Sequence, residues 1–177
     1  MAADNQHFLQ ALPQIGRVEW IGLRPARRAP MVVVEAVEAN DQGLDGDFFK
    51  GPANAPRQVT LIQAEHLTAI GSYLDREAIS PELTRRNIVV RGINLLALKE
   101  REFQIGSAIL FGTGNCAPCS FMEEQLGTGG YNAMRGHGGI TARVVRPGTI
   151  RLGDSIQVRE SSIDSDPTAN PDPDPLV

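Results

Sequence analysis

Apolar residues recur along the chain in short runs, broken by Gly, Pro, Asn and Asp. Residues 16–23 (GRVEWIGL) are apolar at Val18, Trp20 or Ile21, and Leu23, close to the two-residue period of a half-buried strand. Residues 31–37 are dense in β-branched side chains and predict a second strand. The basic, Pro-punctuated RPARRAP between them makes a hairpin whose connection carries Arg24, Arg27 and Arg28. Residues 58–62 and 88–90 read as further short strands, with Gly92 turning the chain. Residues 94–98 and 107–112 are apolar and strand-like, with Phe103 and Ile105 between them. Two last strands are expected at 140–145 and 155–159, after a turn at Pro147-Gly148.

Helical spacing is scarcer. Leu67, Ile70 and Leu74 fall on one face of a helix over 64–74. Ser80-Pro81 reads as an N-cap followed by a first-turn proline, opening a short helix. Residues 120–126 carry Phe121, Met122 and Leu126 at helical spacing with Gly127 as a stop, and 131–135 can form one more turn. Strands outnumber helices and are short, a mainly β pattern that predicts a small β-barrel with inserted helices rather than a doubly wound sheet. The organisation expected is a leader over 1–15, a single domain over 16–159, and an acidic, Pro-rich tail over 160–177 without apolar periodicity, which predicts disorder. The irregular stretch NDQGLDGDFFKGPANAP is long for a connection, and such segments are usually functional or mobile.

Composition narrows the function. With 177 residues, 41% hydrophobic and 21% charged, the chain has the makeup of a soluble globular domain. A net charge of -4 and 5% aromatics argue against a nucleic-acid partner. No apolar run reaches the length of a membrane span, and the first residues lack the basic and apolar regions of a signal peptide. A cytoplasmic protein with no membrane partner is expected.

Within that frame the two cysteines, Cys116 and Cys119, stand out. They form a CxxC in GTGNCAPC, directly after an apolar strand-like run. In a reducing compartment such a pair is more often metal-binding or catalytic than a structural staple. Cys119 precedes the helix over 120–126, where free N–H groups favour a thiolate. A thioredoxin-like pair needs a βαβ context that is missing. A structural zinc site needs four ligands, and beyond the cysteines only His7, His66 and His137 are on offer. A single soft-metal or sulfur-carrying cysteine needs Cys119 alone. Burial of both thiols as small apolar side chains is the plainer alternative.

Two further groups suit an anion. Arg135-Gly136-His137-Gly138-Gly139 joins a guanidinium to glycines whose N–H groups can form a nest. Arg24, Arg27, Arg28, Arg57, Arg85, Arg86 and Arg91 cluster near predicted strand ends in a net acidic chain, a pattern compatible with a phosphate-bearing ligand. Asp45, Asp47 and Asp154 read as turn formers.

Taken in order, GLDGD, PRQVTLI, ELTRRNIVVRGINLLAL, FQIGSAILFGTGNCAPC and GHGGITARVVRPGTIRLGDSIQV resemble the MOSC family, named for the C-terminal domain of molybdenum-cofactor sulfurase, in its stand-alone bacterial form. The resemblance implies a pyruvate-kinase-like β-barrel over 16–159 and a pterin-type molybdenum cofactor. It implies Cys119 as the catalytic residue and molybdenum ligand, with Arg57, Asn87, Arg91, Arg135, Gly138 and Gly139 toward the cofactor and Cys116 and His137 as auxiliaries. The family more often has an acidic residue where this chain has Arg86. Three functions follow from the resemblance. One is a reductase of N-hydroxylated compounds, supplied by a separate electron-donor protein. Another is a sulfur carrier holding a persulfide on Cys119, and a third is a cofactor-binding module that catalyses nothing. Pyridoxal phosphate is not expected, since the only lysines are Lys50 and Lys99 and no aminotransferase-like segment is present.

Overall fold

The structure is a computed structural model, and it describes residues 8–159. The expected tail over 160–177, and residues 1–7 of the leader with His7, lie outside the described residues. Seven strands close into a barrel: β1 (Gly16–Leu23), β5 (Val59–Gln63), β6 (Ile88–Arg91), β7 (Glu102–Ile105), β8 (Ala108–Asn115), β9 (Ile140–Arg146) and β11 (Ser155–Val158). Their order is β11-β7-β8-β9-β5-β6-β1, and the pairing of Gly16 with Ile156 shuts the ring. All neighbours are antiparallel except β5 and β6, which run parallel with Leu61 opposite Ile88. A parallel pair needs a crossover, and helix α1 (Ala64–Tyr73) supplies it.

That helix explains why β5 is buried along most of its length while β7 and β11 alternate. Leu61 points into the barrel core with Ile88, Phe103, Leu110 and Ile156. Its neighbour Ile62 points outward into a second apolar cluster with Leu67 and Ile70 of α1. Met122 and Leu126 of α3 (Ser120–Leu126) and Met134 of α4 (Gly130–Met134) complete this outer cluster. A strand covered on both faces reads as a continuous apolar run. The helices thus pack on one flank of the barrel, and the loops joining them to the strands meet there. No helix among the described residues is long and apolar enough to cross a membrane.

Four expectations change. The apolar stretch 94–98 is a 3-10 turn (Leu95–Leu98), because the Asn94 side chain accepts a hydrogen bond from Leu96 N at 3.1 Å and caps it. The single strand over 31–37 is two pieces: β2 (Val32–Val33) pairs with β1, whereas β3 (Ala36–Asn40) leaves for a small separate sheet. That sheet is completed by β4 (Gly43–Leu44) within the long irregular stretch and by β10 (Gly148–Arg151), which starts where only a turn was expected. Short helix α2 (Pro81–Thr84) begins at the expected proline, but Ser80 bonds the Glu82 carboxylate rather than a backbone N–H.

Candidate functional site

The connection β1–β2, the segment after β4, the entry to β5, the turn between α2 and β6, and the cysteine segment converge on one cavity of about 460 Å³. Six guanidinium groups line it, those of Arg24, Arg27, Arg28, Arg57, Arg85 and Arg86. Cys116 and Cys119 line it as well.

Arg24 is held from below. The Asp47 side chain is wholly buried, and its carboxylate accepts from Arg24 N (2.7 Å), Nε (3.0 Å) and Nη2 (2.6 Å). It also accepts from Asn87 Nδ2 at 3.0 Å. The same Asn87 amide donates to Gly22 O (3.2 Å), and its oxygen accepts from Thr60 Oγ1 (2.8 Å), Thr60 N (3.2 Å) and Arg24 Nη2 (3.2 Å). Every polar atom of this buried network therefore has a partner, which fixes the Arg24 fork in one orientation. Asn87 lies under the cavity and does not line it.

Arg86 is the second fixed point. It is 5% exposed, yet among the described residues no carboxylate pairs with it. Its Nη1 donates to Thr84 O (2.8 Å), its Nε to Gly138 O (2.8 Å), and its Nη2 to Cys116 O (2.9 Å) and Ala117 O (3.5 Å). Burial lowers its pKa, opposed by the Cys116 and Cys119 thiols. Arg85, in left-handed backbone at φ 60°, donates to Ala29 O. Burial and the Arg24 charge lower its pKa, opposed by Asp47. Arg28 sits 4.6 Å over the Phe121 ring and forms a two-pronged pair with Glu124 at 3.0 and 3.1 Å, fastening the β1–β2 connection to α3. Only Arg24 and Arg28 of the six have a carboxylate partner among the described residues. The cavity therefore carries a surplus of positive charge.

The two cysteines are free and unlike. Cys119 is exposed at the cavity and is the residue that precedes α3, as expected. Cys116 is buried, its N–H donating to Gly139 O at 2.9 Å.

The remaining sequence candidates divide. Arg57 lines the arginine cavity. Arg91 lines no described cavity near it; it pairs with Glu19 at 2.5 Å on the surface. Arg135, Gly138 and Gly139 line a second cavity of about 320 Å³ on the other side of the cysteine segment, which shares Cys116 and Ala117 with the first. Its glycines serve the chain's own backbone. A Cβ on Gly138 would lie 2.2 Å from Cys116 O, and one on Gly139 would lie 1.8 Å from Leu61 O. His137 stands outside both cavities, edge-on to His66 (5.0 Å) and Tyr73 (5.4 Å). Among the described residues the buried His66 Nδ1 has no hydrogen-bond partner, and the His66 pKa is lowered by burial and then by His137.

Sequence reasoning missed Asp47, read as a turn former, and the anchoring role of Arg86. Neither contact has a local signal: Asp47 lies 23 residues from Arg24, and Arg86 lies 30 and 52 from Cys116 and Gly138. Among the described residues no three His, Cys, Asp or Glu side chains gather as a metal site. A metal here would have one thiol from the protein and need its other ligands from elsewhere.

A closed barrel flanked by helices, with an exposed cysteine between its β8 strand and a short helix, defines the class. The MOSC domain model matches residues 45–157, and the chain belongs to the MOSC domain family. Solved structures share the fold. The YuaD protein from Bacillus subtilis superposes with a TM-score of 0.73 at 21% identity, covering 84% of this chain and 98% of that one. YiiM from Geobacillus stearothermophilus gives 0.68 at 15% identity (84% and 77% covered), and YiiM from Escherichia coli gives 0.63 at 16% (82% and 70%). No curated protein matches the chain.

Proposed function

We propose that the arginine-lined cavity binds a pterin-type molybdenum cofactor, that Cys119 is the protein's thiolate ligand to the metal, and that the protein reduces N-hydroxylated compounds with electrons from a separate donor protein. The observation that carries this reading is one exposed thiol opening onto six guanidinium groups, four of them without a carboxylate partner among the described residues. Soft metals take thiolate ligands, and a phosphate-bearing organic group takes fixed guanidinium forks. The donor set therefore fits a metal that arrives with its own organic ligands. When bound, such a cofactor supplies two-electron chemistry that, with two protons, converts an N–OH group to N–H and water.

The residues of this chain would bind and orient. Arg24, whose Nε and Nη2 donors are taken by Asp47 and Asn87, has its Nη1 donors left for an anion and is held in place before one arrives. Arg27 and Arg57 have no ion pair among the described residues and are free to close on an anion. Arg86 holds the carbonyls of Cys116 and Ala117 and so sets the approach of Cys119 to the cavity. A sulfur carrier would use the same exposed thiol but leaves the guanidinium surplus without a role.

The test is metal and pterin analysis of protein made in a molybdate-replete host, for wild type, Cys119→Ser and Cys116→Ser. Bound molybdenum that is lost in the first variant and largely kept in the second supports the reading. Persulfide on Cys119 with no molybdenum overturns it in favour of sulfur transfer. Tight cofactor binding without turnover of any N-hydroxylated compound reduces the protein to a carrier.

A further inference from the structure

The cysteine segment is a partition. Cys116 and Ala117 face the arginine cavity on one side and the second cavity on the other. The second cavity has different chemistry. Its walls include Leu96, Pro118, Tyr131 and Met134, with Asn115 and Arg135 as polar side chains. Leu96 and Tyr131 are 48% and 41% exposed, large apolar side chains left in solvent at the cavity. Leu96 is presented there by the Asn94-capped 3-10 turn, and Tyr131 by α4, whose first turn is tied down by Glu123 through Gly129 N and Tyr131 N, both at 2.7 Å. Arg135 has no ion pair among the described residues. Mostly apolar walls with a few convergent polar groups are the usual make-up of a small-molecule site.

We propose that this second cavity is the substrate pocket, and that it takes a small organic molecule with an apolar or aromatic body and a single acidic group. The apolar body would lie against Leu96, Tyr131 and Met134. The acid would meet the Arg135 guanidinium, and Asn115 would offer an amide to the remaining polar group. One guanidinium matches one negative charge, whereas the six on the far side of the partition suit a more highly charged group. The division separates the two ligands by charge on either side of Cys116 and Ala117, with Pro118 carrying the second cavity's wall up to Cys119. That the occupant is the substrate rests on the function proposed above. That an organic monoanion seats on Arg135 does not.

The experiment is binding of benzoate and of its neutral analogue benzamide to the full chain, followed by saturation-transfer NMR. Benzoate is expected to bind about tenfold more tightly than benzamide, the scale of one charge-assisted contact. Arg135→Ala should bring benzoate to the level of benzamide, and Leu96→Asp should weaken both. Saturating inorganic phosphate, which would occupy the arginine cavity, should leave benzoate bound, as should Arg57→Ala. Equal binding of the two probes, no binding at millimolar concentration, or loss of benzoate to phosphate or to Arg57→Ala would overturn the inference. Molybdenum content is measured on the same samples. Protein free of metal that still discriminates through Arg135 leaves the pocket standing and removes the function. Metal-loaded protein without discrimination does the reverse.

Discussion

The two cavities beside the cysteine segment share two residues and little else. On one side charge rests on a buried scaffold: Asp47, Asn87 and Thr60 satisfy one another beneath Arg24, and Arg86 spends its donors on backbone carbonyls. On the other side the floor is backbone against backbone, with glycines pressed onto Cys116 O and Leu61 O and exposed apolar side chains above. The first kind of site gains selectivity from guanidiniums whose positions are set before a ligand arrives. The second gains it from shape, with one exposed cation, Arg135. The contrast shows that a loop of four residues can have one wall specified electrostatically and the other sterically.

Arg86 is the point at which the contrast breaks, because its donors reach both walls. Arg86→Met strands the carbonyls of Thr84, Cys116 and Gly138. Thermal or denaturant unfolding should show a loss of about 3 kcal/mol, the scale of buried acceptors left without donors. Native-state alkylation should also begin to label Cys116, which is 3% exposed in the wild type. Arg86→Lys keeps the charge but not the planar fork, and should recover little of the protection. Unchanged stability and a still-protected Cys116 would remove Arg86 as the anchor of the partition.

Asp47→Asn touches one side only. It removes the carboxylate under Arg24, whose side chain is 23% exposed, so the full cost of breaking a buried pair does not apply. A loss of about 2 kcal/mol in denaturant unfolding is expected, about half of the range for fully buried pairs. Cys116 should stay protected and benzoate binding should be unaffected. Weakened benzoate binding would show that the two walls are not independent.

The smallest effect concerns pH. The folded pKa of His66 is lowered, first by burial and then by His137. Between that lowered value and the ordinary histidine value the unfolded chain binds more protons than the folded one, so stability declines as pH falls below the ordinary value. Removing the ring in His66→Gln should flatten the slope of melting temperature over that interval. A slope that stays the same would assign the pH dependence to other groups.

Much of the barrel was legible in the sequence because its strands carry their own pattern. β1 alternates, and β5 reads as a continuous apolar run because α1 covers the face that the barrel does not. The 3-10 turn at Leu95–Leu98 was not, since four apolar residues in a row suit a strand as well and the deciding bond comes from the Asn94 side chain. β10 was hidden because its pairing with β3 joins Thr149 to Glu38, far apart in the chain. At the candidate site, Cys119 was legible from its position before a helix, and the arginines from their clustering near strand ends. Arg91 shares that sequence pattern but pairs with Glu19 outside the cavity, because β6 carries it to the other end of the strand from Arg86. Asp47 and Arg86 act through contacts that only the closed barrel makes.

The central claim, a thiolate-ligated cofactor held by the arginine cavity, is tested most directly by molybdenum and pterin content per chain in wild type and Cys119→Ser, purified in parallel and matched for fold by circular dichroism. The account predicts stoichiometric molybdenum in the wild type and retention weakened at least about a hundredfold in the variant, a loss at the upper end of that seen when even residues supporting a metal ligand are removed. Wild-type protein without molybdenum, or a variant that keeps it, would contradict the account.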